Sequence, residues 1–131
     1  MGYIAHHAIV VTSWQDGAVE AARARAVEEF AEIDALVGRG GAHTVSPIVG
    51  SVVNGVRSFL VGPDGSKEGW GTSDEGDAAR ARFIRWLRDA DYYLDWFEIR
   101  YGGDDPDVVV VRHHNGDDAG APGASGEQVG Q

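Results

Sequence analysis

Residues 44–61, TVSPIVGSVVNGVRSFLV, decide how this chain folds. Asn54-Gly55 accepts positive φ at both positions of a two-residue turn, and β-branched and apolar residues flank it. The stretch therefore predicts an antiparallel hairpin with strands over 44–53 and 56–61.

Working outward from the hairpin, each side carries one helix and then one strand. On the N-terminal side, Val19, Ala22, Ala26, Phe30, Ile33 and Val37 recur at steps of three and four, an apolar helical stripe that Gly38 ends. Ser13 and Asp16 have the spacing of a capping box at its start. Before it, YIAHHAIVVTS at 3–13 is β-branched and apolar and predicts a strand buried on at least one face. On the C-terminal side, the turn Gly62-Pro63-Asp64-Gly65 predicts that 66–70 folds back as a short extra strand. Thr72 and Ser73 then open a second helix, with Asp74, Glu75 and Asp77 at its positive end and Ala79, Phe83, Trp86, Leu87 and Ala90 on its apolar face. A strand over 94–101 sets Phe97, Ile99 and Tyr101 against Asp95, Glu98 and Arg100, with Leu94 and Trp96 placed on the polar side. Four valines at 108–111 form a last strand.

The order β-α-β-β-α-β with an added C-terminal strand predicts an α+β, ferredoxin-like domain over 1–114, its antiparallel sheet covered by two helices on one face. Beyond His114 the run NGDDAGAPGASGEQVGQ offers almost nothing to bury, so 115–131 is expected to be a disordered acidic tail. No element remains for the other sheet face, and the valine strand falls at an edge; both features predict association, as a homodimer or with a bound partner.

Composition narrows the partner. The formal charge is −10, from 21 acidic against 11 basic residues, which disfavours direct nucleic-acid binding and suits a basic protein surface. Cysteine is absent, excluding disulfides and thiol chemistry. No apolar run approaches the ~20 residues of a membrane span, and the N-terminus lacks a basic leader, so a cytoplasmic location is expected.

Motifs for chemistry are few. His6-His7 and His113-His114 could each lend one imidazole to the open face, but neighbours on a strand point to opposite faces and no metal-ligand spacing supports a site. There is no nucleophile elbow, and Gly38-Arg39-Gly40-Gly41 follows a helix instead of preceding one, so no cofactor is predicted. Two binding stretches stand out. Tyr92, Tyr93, Leu94, Asp95, Trp96, Glu98 and Arg100, with Val109 and Val111, make an aromatic-rich candidate interface. Arg57, Lys67, Trp70 and Ser73 surround a hairpin before a helix N-terminus, where a small anion or nucleotide could be held. The carboxylates Asp74, Glu75 and Asp77 oppose an anion at that helix end.

SFLVGPDGSKEGWGTSDEGDAARARFIRWL at 58–87, followed by LDWFEIRYGGD at 94–104, resembles small proteins encoded by actinobacterial phages. The resemblance implies a phage product acting in the host cytoplasm and brings no assigned activity or catalytic residue. The expected function is non-enzymatic engagement of a host protein through the sheet face and edge strand. The alternatives are small-ligand sequestration at Arg57, Lys67 and Trp70, or a dimeric ferredoxin-like enzyme with His6 or His7 turned inward.

Overall fold

The computed structural model of the chain describes residues 3–67 and 69–116. Eight elements follow one another: β1 (His6–Ser13), α1 (Ala18–Glu29), α2 (Ala31–Ala35), β2 (Val49–Gly50), β3 (Arg57–Val61), α3 (Gly71–Asp89), β4 (Asp95–Gly102) and β5 (Asp105–His113). The strands form one antiparallel sheet in the order β2-β3-β1-β4-β5. The first four strands have the order of a ferredoxin-like fold, and β5 is the added strand at the edge beside β4. The fold class expected from the sequence is therefore the one observed. The expected tail lies outside the described residues from 117 onward.

One side of the sheet is covered. Ile9, Val11, Phe59, Val61 and Trp96 project from the strands into a core completed by Val19 and Phe30 of the α1 segment and Phe83, Ile84 and Leu87 of α3. Ala18, Ala22 and Ala26 repeat every fourth residue of α1 and are fully buried; their small side chains let that helix pack closely. No helix among the described residues is long and apolar enough to cross a membrane.

Four local expectations are corrected. The single first helix is two, because the chain bends at Phe30 (φ −101°, ψ 10°), and Val37 lies beyond the helix in solvent. Ser13 does not cap α1. It ends β1, accepting from the Gln15 N–H and donating to the Tyr93 carbonyl, while Gly17 in the left-handed region precedes the helix without a side-chain cap. The strand over 44–53 shrinks to Val49–Gly50 and an isolated Val45 bridge, because Pro47 has no N–H to give; the Ser46 hydroxyl instead accepts from the Leu60 N–H at 2.8 Å. The described part of 66–70 is turn and not strand, with the Trp70 N–H donating to the Lys67 carbonyl at 3.2 Å. The Asn54-Gly55 turn forms as expected, with φ of 66° and 64°.

A buried charge network was not expected. Arg80 and Glu98, 4% and 2% exposed, meet beneath α3. Glu98 also accepts from Arg112 Nε at 2.6 Å, and Arg80 pairs further with Asp77 and, at 3.9 Å, with Asp64. At the other end of β5, Arg100 Nε donates to Asp105 at 2.7 Å.

Candidate functional site

The face of the sheet away from the helices is built by the pairing of β1 with β4. Even-numbered residues of β1 stand opposite odd-numbered residues of β4: His6 with Tyr101, Ala8 with Ile99, Val10 with Phe97 and Thr12 with Asp95. Since successive side chains alternate across a strand, all eight lie on one side, opposite to buried Ile9, Val11, Trp96 and Glu98. The same alternation brings Leu60 beside Val10, Ser58 beside Thr12, and Val110 beside Ile99. Leu60, Val10 and Phe97 thus form a row across three strands, with Ile99 and Val110 in the next. Phe97 is 36% exposed, Leu60 39% and Val110 53%. Among the described residues no element covers them.

The charges on this face are as one-sided as its packing. Asp95 is the face's carboxylate. The strand arginines point away, since Arg57, Arg100 and Arg112 stand opposite Ser13, His7 and Glu98 on the helix side. There they are held by Glu20, Asp105 and Glu98 respectively. The Thr12 and Ser58 hydroxyls bond each other at 2.8 Å, so the polar positions between the strands are satisfied internally.

Aromatic pairs close both ends of the β1–β4 ladder. His6 and Tyr101 have ring centroids 5.5 Å apart. At the far end, one step past Thr12 and Asp95 on the same side of the pleat, Trp14 and Tyr93 meet at 5.6 Å and 43°. Both are 57% exposed. Their loops are tied together, because the Gln15 side-chain carbonyl accepts from the Tyr93 N–H at 2.6 Å and the Ser13 hydroxyl donates to the Tyr93 carbonyl.

Beside this corner is a groove of about 400 Å³ lined by Arg88, Tyr92, Tyr93, Asp95, Trp96 and His114. Its floor is fixed. The Arg88 guanidinium lies 4.9 Å from the centre of the Trp96 ring and donates to the Gly116 carbonyl at 2.9 Å. His114 Nδ1 lies 3.1 Å from both the backbone nitrogen and the carbonyl oxygen of Trp96, and Nε2 lies 3.3 Å from Asp95 Oδ1. Both imidazole nitrogens thus lie against neighbours, and the Asp95–His114 pair fastens the end of the sheet.

The structure divides the predicted interface. Tyr92, Tyr93, Leu94, Asp95 and Trp96 do line one groove, but Trp96 is only 3% exposed and Glu98 is buried, both facing the helices; placing them on the polar side reversed the parity of β4. Arg100 faces the same way. Val109 stands opposite Arg100, and Val111 is the extra residue of a bulge, so the valine that reaches the open face is Val110. Val10, Leu60 and Phe97 of the open face, and exposed Trp14, lie outside the predicted set. The alternative ligand site does not assemble: Arg57 begins β3 and pairs with Glu20 of α1, whereas Lys67 lies past the far end of β3, with Nζ 5.3 Å from the Trp70 ring. Ser73 is buried inside the first turn of α3. No three His, Cys, Asp or Glu side chains gather in a metal-binding arrangement among the described residues.

No family model, curated protein or solved structure matches this chain.

Proposed function

We propose that this chain is a non-enzymatic binding protein that engages a partner protein through the open face of its sheet. The observation that carries the reading is the uncovered row Leu60, Val10 and Phe97, flanked by Ile99 and Val110. An apolar strip of this kind, free of arginine and lysine, loses water favourably when a complementary surface covers it. Taken with the phage resemblance, the reading places the partner among host proteins and the encounter in the host cytoplasm.

The test is retention of a host protein on the immobilised chain. Phe97→Asp and Leu60→Asp each place a charge in the middle of the strip at partly exposed positions, where folding tolerates it. Each is expected to reduce retention about 30-fold, the effect of losing a contact of about 2 kcal/mol at the centre of an interface. Undiminished retention by both variants, with unfolding midpoints equal to that of the parent, would overturn the reading.

A second reading, pairing of two copies through the same strip, is favoured by the absence of arginine and lysine from it among the described residues. Sedimentation equilibrium decides it, since Phe97→Asp would then convert a dimer to a monomer.

A further inference from the structure

We infer that the partner is basic, and that the Trp14–Tyr93 corner receives one of its arginine or lysine side chains; this rests on the sheet-face reading above.

Size shows that the strip needs an extension. Four strands about 4.8 Å apart, each roughly seven residues long at about 3.3 Å per residue, give a flat footprint on the order of 400 Å². A standard protein interface takes about 800 Å² from each partner. A neighbouring surface must supply the remainder, and the ladder that builds the strip runs directly into the Trp14–Tyr93 pair.

The corner is built in advance. Two large rings are held in mutual contact by hydrogen bonds from their own loops, so little conformational freedom is lost when a third group stacks on them. Exposed tryptophan and tyrosine faces attract cations, and guanidinium most of all, because it is planar and weakly hydrated. The charge around the rings has the matching sign. Asp16 and Asp91 are exposed, and the Asp95 side chain is 47% exposed. α3 ends at Asp89, directing its negative carbonyl end toward the groove. The nearby cation, Arg88, is already committed to the Trp96 ring and the Gly116 carbonyl, which shows the same chemistry made within the chain. At a net charge of −10, a second copy meets like with like around the strip, whereas a basic surface meets its complement.

The test titrates the full chain with an acetylated hexa-arginine peptide, followed by proton–nitrogen NMR, with hexa-glutamate as the control. Saturable shifts concentrated at the Trp14 indole N–H and the amides of Tyr93 and Asp95 are expected, with none from hexa-glutamate. Trp14→Ala should weaken the peptide about tenfold, Trp14→Phe much less, and Trp70→Ala, at an exposed tryptophan elsewhere, not at all. Shifts scattered over acidic residues of the helices, or a Trp14→Ala variant that binds as tightly as the parent, would overturn the inference. So would movement of the Trp14 signal with protein concentration alone, which would identify the occupant as a second copy. If host-protein retention survives Trp14→Ala but is lost in Phe97→Asp, the sheet-face reading stands and this one fails.

Discussion

The Arg80 guanidinium lies 3.6 Å from the Glu98 carboxylate, and both side chains are almost wholly removed from water. An arginine thus sits within the apolar stripe of α3, between Ala79 and Phe83, because a strand residue beneath it supplies the opposite charge. Removing one member of such a set strands the others in a low-dielectric site. Glu98→Ala leaves Arg80 and Arg112 undercompensated and is expected to cost about 3 kcal/mol in urea unfolding. Replacing Glu98, Arg80 and Arg112 together by apolar residues of similar volume should recover part of that. A single-variant loss below about 1 kcal/mol would show the network to be energetically idle.

Gly76 inverts an ordinary helix rule. Alanine in place of a mid-helix glycine usually adds about 1 kcal/mol of stability. Here a β-carbon would collide with Asp64 Oδ2, and Asp64 cannot swing freely because its other oxygen accepts from the Ser66 N–H and hydroxyl. Gly76→Ala is therefore expected to destabilise by about 1–2 kcal/mol, the usual effect of overpacking. The same change made in an Asp64→Ala background should lose that penalty. Thermal melts of the four proteins check the sign.

Two carboxylates contribute to the acid limb of stability. Burial alone would raise the Glu29 pKa, but hydrogen bonds and charge from Arg82 and Arg25 outweigh it and hold the group below the ordinary glutamate range. Asp105 is lowered first by the Asp107 N–H and then by Arg100. A pKa lower in the folded state means that the folded chain binds fewer protons than the unfolded one. The stabilisation is fully present above the unfolded pKa and is lost as pH falls through the folded value. Unfolding midpoints measured from about pH 7 to about pH 3 should therefore decline less steeply in Glu29→Gln and in Asp105→Asn than in the parent.

The hairpin turn, the two helical stripes and the six-element order were legible because each rests on local chemistry: Asn54-Gly55 at positive φ, apolar residues at helical spacing, glycine after a helix. What was not legible depended on long-range pairing. Glu98 looks like a solvent residue in a strand, and only its partners, buried Arg80 and half-buried Arg112, explain why it faces inward. Once Glu98 is assigned outward, Trp96 follows it and the contact surface is placed on the wrong side. An arginine inside the helix stripe was the available signal, since a buried guanidinium requires a buried carboxylate. The pairing of Trp14 with Tyr93 is not legible because the two are 79 positions apart and meet only through the β1–β4 register.

The irregular pairing of β5 governs how this protein keeps company with itself. Its register against β4 shifts twice, between Glu98 and Ile99 and again between Arg100 and Gly102, and Pro106 removes one backbone donor. A straight, valine-rich border would be a template on which further chains could align and grow into fibrils. Kinked in two places, it offers no continuous run of donors and acceptors for such growth. The border at β5 therefore resists polymerisation even though the open side of the sheet is apolar.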